Sequence, residues 1–323
     1  MTISAVWEME PLYMTSANVE FKGLIRMRMA FLMSEELHSR DDVYVAYYKE
    51  DGTIAAKIPL KDGEYLKDQD GLKSYGYYCP VRAKEFADNL YIKVIGVDGN
   101  PVEYSLSSGS WSGTEYVYTT KMYADAVLAS STTRQTMKDV ATAFLDYGAA
   151  ANIRFADGSA GYSVSDKVTQ VTWEEMGESA SYDSDKAKAM GVKISLNLDF
   201  MEDNSLYVYF TLPSGKTVSD YTFTFKKNGT SNTVTPIAQG GNKYLVKVGN
   251  IAARKLAEFY DITITEKSNS ANSFTVHASA LSYAKALAKA YEGTTDPTKQ
   301  KMLNLVKSLY LYWKAAAAHW GTN

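Results

Sequence analysis

At 323 residues the chain is too long for one small domain and suits two of roughly 160 residues each. A hydrophobic content of 46% with 22% charge excludes a disordered chain, and 34 basic against 37 acidic side chains exclude a nucleic-acid partner held through phosphates. The single cysteine, Cys79, excludes an internal disulfide, and no run approaches the ~18 consecutive apolar residues of a membrane span.

The opening residues, MTISAVWEMEPLYMTS, carry neither a basic stretch nor a long apolar run, so export would use a signal absent from them. Alternating apolar positions in LIRMRMAFLM (24–33), VYVAYY (43–48) and NLYIKVIGV (89–97) predict half-buried strands. Asp51-Gly52, Asp62-Gly63 and Asp98-Gly99-Asn100 supply turns. Asp68-Gln69-Asp70-Gly71 has the start of a calcium loop without its remaining ligands and reads as a plain turn. A helix is expected over 121–129, and Thr132 with Gln135 forms a capping-box pattern opening a second helix to about Arg154.

The strand pattern then returns in KISLNLDFM (193–201), SLYVYFTL (205–212), YTFTFKK (221–227), KYLVKV (243–248) and YDITIT (260–265), punctuated by Asn228-Gly229 and Gly240-Gly241-Asn242. A helix is expected over 278–291, and Asp296 followed by Pro297 marks the start of the last one.

These halves are related. TTRQTMKDVATAFLDYGAAANIRF (132–155) aligns without gaps on PTKQKMLNLVKSLYLYWKAAAAHW (297–320), placing Tyr147 on Tyr312 and Phe144 on Leu309. KEFADNLYIKVI (84–95) matches RKLAEFYDITIT (254–265), Trp7-Glu8 matches Trp173-Glu174, and the alternation Ile25, Met27, Met29, Phe31 matches Ile194, Leu196, Leu198, Phe200. The pattern predicts an α+β chain of two tandem modules, 1–157 and 158–323, each an antiparallel β-sandwich followed by a helix pair packed on it.

Catalytic signatures are scarce. A glycosidase needs two carboxyls flanking a sugar, and the adjacent pairs Asp41-Asp42 and Glu174-Glu175 sit on short segments where carboxylates are ordinarily solvated. GSWSG (109–113) has Trp where a nucleophilic serine would stand, and no phosphate-cradling glycine loop occurs. His38, His277 and His319 lie far apart, and no metal or cofactor is expected.

A chain with 25 Tyr and 5 Trp has aromatics beyond what strands and helix stripes use. Trp111, in SSGSWSGTEY (107–116), has only Ser and Gly around it, which suits an exposed ring, with burial under the sandwich as the alternative. Tyr75, Tyr77 and Tyr78, in KSYGYYCP (73–80), form a second cluster of which one or two point inward. Trp313 replaces Gly148 of the first repeat, so the helix itself does not require an indole there. Trp173 recurs as Trp7, which favours packing, although a duplicated site would leave the same trace. Exposed rings of this kind stack on the C–H face of a pyranose, while polar neighbours fix its hydroxyls. The same rings also suit a protein partner.

VYTTKMYADAVLA (117–129) and AFLDYGAAANIRF (143–155) resemble the helical end of modules in cell-surface proteins of gut clostridia, and KEFADNLYIKVIG (84–96) resembles the strand before it. The second copy departs, with LYLYWKAAAA in place of FLDYGAAA. A Tyr-rich, two-module chain is similar to the bilobed second starch-binding domain of the starch adherence system proteins of the amylosome. The resemblance implies a non-catalytic, extracellular cell-surface module that grips α-1,4-glucan, starch or maltooligosaccharide, with surface-complex proteins reached through regions outside this chain. It supplies no site residue. The alternatives are a structural or adhesive module with a protein partner and, behind it, a glycoside hydrolase.

Overall fold

The computed structural model describes residues 12–21, 25–155, 162–200, 204–227 and 229–321. Contacts divide the chain into two compact units, Met1–Phe21, Ile25–Val81 and Glu85–Ala129 in the first, and Lys22–Leu24, Arg82–Lys84 and Ser130–Asn323 in the second. The chain is of mixed α+β class, as expected.

The first unit contains β1 (Tyr13–Glu20), β2 (Arg26–Met33), α1 (Glu35–His38), β3 (Tyr44–Tyr48), β4 (Ile54–Pro59), β5 (Glu64–Gln69), β6 (Leu72–Pro80), β7 (Leu90–Ile95), β8 (Pro101–Val102), β9 (Tyr104–Leu106), β10 (Ser112–Gly113), β11 (Tyr116–Tyr118) and α2 (Thr120–Ala129). One sheet runs β10-β9-β1-β2-β6-β5 and the other β11-β7-β3-β4, with β8 on β7. Period-two alternation turns Met27, Met29 and Phe31 of β2 inward with Tyr75, Tyr77 and Cys79 of β6. The sheets face one another through two buried hydroxyls: Tyr47 donates to the Tyr77 carbonyl at 2.6 Å, and Tyr104 donates to the Ile92 carbonyl at 2.7 Å.

The second unit contains α3 (Gln135–Phe155), α4 (Asp166–Gln170), β12 (Ser181–Tyr182), α5 (Ser184–Ala189), β13 (Lys193–Leu198), β14 (Leu206–Thr211), β15 (Tyr221–Lys227), β16 (Thr230–Val234), β17 (Ile237–Ala238), β18 (Lys243–Val248), β19 (Tyr260–Glu266), β20 (Asn269–Ala278), α6 (Ala280–Tyr291) and α7 (Pro297–Trp320). Its sheets run β12-β20-β19-β15-β16 and β13-β14-β18-β17, and Phe210 meets Phe223 edge-on at 5.3 Å in the core between them. The order β1-β2-β6-β5 thus recurs as β13-β14-β18-β17, and β7-β3-β4 as β19-β15-β16. By strand order β2 answers β14, one strand later than the Ile25–Phe31 alternation match suggests.

The helices differ from expectation in three respects. α3 closes the first sequence repeat but belongs to the second compact unit, packed along α7. The helix pair was expected to pack on a sandwich; within the second unit Tyr147 of α3 also stacks on Tyr312 of α7, its counterpart in the repeat, at 5.6 Å and 14°. α3 also begins at Gln135 rather than at a Thr132 cap, because the Ser130 hydroxyl takes the Thr132 and Thr133 amides in a tight turn. The α7 start is as expected: Asp296 accepts from the Thr298 and Lys299 amides, and Pro297 occupies the first turn.

Two glycines expected in turns have different reasons. Asp70 and Gly71 both take positive φ, 52° and 80°, in the two-residue hairpin loop joining β5 to β6, so the calcium-like sequence is an ordinary turn. Gly63 has φ of −63° and needs no glycine conformationally. A Cβ there would lie 2.6 Å from Cζ of Tyr77, whose hydroxyl donates to the Leu60 carbonyl at 2.8 Å. Gly63→Ala is therefore expected to destabilise the first unit by about 2 kcal/mol, as overpacking of a closed core does. A shift of the urea midpoint checks it, and an unchanged midpoint would show that the ring has room to move.

Candidate functional site

The structure separates the six aromatics singled out in the sequence. Tyr75 and Tyr77 are core residues, 5% and 0% exposed, because β6 is itself the strand and alternate positions point inward. Neither offers a ring face to a ligand. His38 lies flat on Tyr75 at 3.5 Å and 8°, and burial lowers its pKa. Tyr78 points to the other face, where the Arg26 guanidinium sits 4.3 Å from its ring centroid.

Trp111 is half-buried rather than exposed. Its neighbours come from strands on either side of the Ser/Gly loop: Tyr104 and Tyr116 each lie 5.2 Å away, and a Cβ on Gly113 would be 3.0 Å from its ring. The hairpin β9–β10 folds the indole back, with the Leu106 amide bonded to the Trp111 carbonyl at 2.8 Å.

Trp173 donates its indole N–H to Glu292 Oε2 at 3.0 Å, and the Lys289 ammonium stands 4.6 Å from its ring. Lys285 approaches the same ring and bonds the Gly177 carbonyl. Both the polar edge and a face of this indole are therefore engaged. Trp313 lies tilted on Tyr310 at 5.7 Å, half-buried, with its Nε1 enclosed and unpartnered among the described residues. One turn before Tyr310, the Lys307 ammonium donates to the Thr169 carbonyl at 3.1 Å, and burial lowers its pKa. Trp7 lies outside the described residues.

SLYVYFTL reads in the sequence only as a strand, yet β14 carries two half-buried tyrosines on one face of the second unit's four-stranded sheet. Leu206, Val208 and Phe210 are buried, which sends Tyr207 and Tyr209 to the outer face. Register places Asn197 and Lys247 beside Tyr207, and Ser195 and Leu245 beside Tyr209. The two rings meet edge to face at 6.3 Å and 84°. The Tyr207 hydroxyl donates to Asp199 Oδ2 at 3.0 Å, and Tyr283 of α6 donates to Asn197 Oδ1 at 3.1 Å. Lys243 stands 4.1 Å from the Tyr209 centroid and Lys247 5.7 Å from that of Tyr207. Three tyrosines are thus gathered around an amide, a carboxylate and two ammonium groups. The signal was partial: alternation puts Tyr207 and Tyr209 on one face of the strand, and the register with its neighbours decides which face that is.

The chain matches no family model and no curated protein. Among solved structures it is similar to a crystal structure of pullulanase from Anoxybacillus sp. LM18-11, at 8% identity and a TM-score of 0.17 over 78% of this chain and 24% of that one. The chain spans about a quarter of that enzyme's length, and a likeness this slight carries no argument.

The adjacent carboxylate pairs, Asp41-Asp42 and Glu174-Glu175, are exposed. Arg40 holds Asp42 through two 2.7 Å bonds and keeps its carboxyl below the usual range, opposite to what a general acid needs. Asp41 pairs with Lys61 at 3.1 Å. On the β12-β20-β19 side, Ser181, His277 and Asp261 share one cross-strand row, with Asp261 Oδ1 2.5 Å from His277 Nδ1. That is the order of a nucleophile, base and orienting acid. Among the described residues, however, no side-chain hydrogen bond joins Ser181 to His277, whose Nε2 stands 4.0 Å from Glu178 instead.

Cys79 is buried and its thiol is pushed up to about 12 by burial. A thiol in that state reacts through very little thiolate. Ellman's reagent at pH 8 is expected to leave it unmodified in the native protein and to titrate one thiol after denaturation; rapid native labelling would contradict the buried position.

Proposed function

We propose that the chain is a non-catalytic carbohydrate-binding protein for α-1,4-glucan, and that Tyr207 and Tyr209 are its principal stacking surface. The observation that carries this reading is the outer face of β14, where two tyrosines stand amid amide, carboxylate and ammonium groups suited to sugar hydroxyls. Rings set at 84° do not form one flat plate, so a straight ribbon of sugars meets only one of them. A chain that turns between successive residues meets both, which favours a helical α-glucan such as starch over a flat β-1,4-glucan.

The sequence repeat and the recurring strand order support a reading of two tandem modules. The resemblance to starch adherence system proteins supports an extracellular, cell-surface setting. Affinity gel electrophoresis against a polysaccharide panel tests the ligand, with retardation expected in amylopectin and glycogen and not in hydroxyethyl cellulose. Absence of retardation in every gel, with no heat from maltoheptaose in calorimetry, would remove the proposal. It would leave the adhesive reading, which a glycan array beside a pull-down from surface extracts addresses. Release of reducing sugar from soluble starch would instead show a hydrolase.

A further inference from the structure

The first unit presents the equivalent outer face with different chemistry. Where β14 offers Tyr207 and Tyr209, β2 offers Arg28 and Ala30. Ser16, Ala30 and Gly76 stand in one cross-strand row, and their small size leaves a trough of about 600 Å³ over the sheet. That volume is within the usual range for small-ligand pockets, roughly 300–1,000 Å³. Arg28 and Lys67 line it as cations, Ser16, Ser74 and Ser107 add hydroxyls and Gln69 an amide, and among the described residues no carboxylate belongs to the lining.

The charge in the trough is incompletely answered by the protein. Glu20 bonds Arg26 at 2.7 Å and reaches Arg28 only at 3.7 Å, so one carboxylate serves two guanidinium groups. Arg28 Nε is enclosed with no hydrogen-bond partner among the described residues. Gly76 lets the Arg28 stem lie across the sheet, since a Cβ there would be 3.1 Å from Arg28 Cδ. Glu64, opposite Gly76 in the ladder, stands outside the lining. Lys67 is exposed on the rim and makes no ion pair among the described residues.

We infer that this trough binds a sugar carrying an anionic group, a carboxylate or a phosphate ester. The guanidinium and ammonium would take the anion, and the serines and Gln69 the ring hydroxyls. Charge-assisted bonds of this kind are about twice as strong as neutral ones, and a guanidinium fork matches both anions. The site is chemically independent of the tyrosine face, so maltoheptaose reports on one and charged monosaccharides on the other.

The test is an NMR titration of the full chain with glucose 6-phosphate, glucuronate, glucose and inorganic phosphate. Saturable binding of either charged sugar in the range of about 1 mM, roughly tenfold tighter than glucose, is expected. Lys67→Gln, on the rim and away from the core, is expected to weaken that binding about threefold at least without moving the melting temperature. The relative affinities of phosphate ester and uronate decide which anion the site prefers. No saturation by either charged sugar, glucose binding equal to theirs, or an unaffected Lys67→Gln would overturn the inference. Inorganic phosphate binding as tightly as glucose 6-phosphate would also overturn it, because the hydroxyls would then contribute nothing.

Discussion

Replacing Tyr207 and Tyr209 together by alanine is expected to leave the protein in the supernatant when it is sedimented with insoluble starch. Stacking an aromatic ring on a ligand face contributes about 1–2 kcal/mol, so each single variant should lose about tenfold in affinity for maltoheptaose. The pair should lose about a hundredfold if the rings act independently. They touch one another at 6.3 Å, and contacting residues are rarely additive, so the double variant also measures their coupling. Stability offers the control. Both rings are half-buried, and Leu245 lies beside Tyr209 on the same face, so a loss near 1 kcal/mol in folding is expected. A melting temperature that falls far while the folded protein binds as before would assign the tyrosines to packing alone. Unchanged affinity in both single variants would move the glucan to another surface.

The contrast between these tyrosines and the residues chosen from sequence has a physical cause. Alternation in SLYVYFTL is a local property, and it predicts correctly that every second residue of that strand is buried, whereas in KYLVKV the neighbours Leu245 and Val246 are both buried. It does not say which set faces inward until the register with neighbouring strands is known. One or two of Tyr75, Tyr77 and Tyr78 were expected to point inward, with no indication of which; Tyr75 and Tyr77 lie in the core and Tyr78 takes the outer face. An exposed Trp111 was one of two expectations, because its sequence neighbours are small. Tyr104 and Tyr116, seven and five residues away, close on it through strand pairing that short-range reading does not see. The last helix was the most legible element, since Asp296 and Pro297 specify its start through local chemistry. Its partner was not: amphipathic periodicity shows that Tyr147 and Tyr312 are buried without saying that they bury one another.

That mutual burial makes Tyr312→Ala the most destabilising single change expected here. The Tyr312 ring is fully enclosed, stacked at 14° on Tyr147 and 6.1 Å from Phe144, so three large rings of the α3–α7 seam share one contact. Removing a buried aromatic ring costs about 3–5 kcal/mol, partly as lost transfer energy and partly as an unfilled cavity. For a unit of this size that corresponds to a fall of roughly 10 °C in melting temperature. Tyr147→Phe separates packing from hydrogen bonding. It keeps the stack and removes only the 2.8 Å bond from the Tyr147 hydroxyl to buried Asn204 Oδ1. A loss of about 1–2 kcal/mol is expected, the usual consequence of leaving a buried acceptor without its donor. Calorimetry on both variants and on the Tyr147→Ala, Tyr312→Ala pair completes the argument. If the rings hold α3 to α7, the paired variant loses clearly less than the sum of the two single alanine variants, because the second truncation removes a contact already gone. Strict additivity would mean that the helices are held by the small residues around them, Ala141, Ala151 and Ala316, and that the repeated tyrosines are passengers of the duplication.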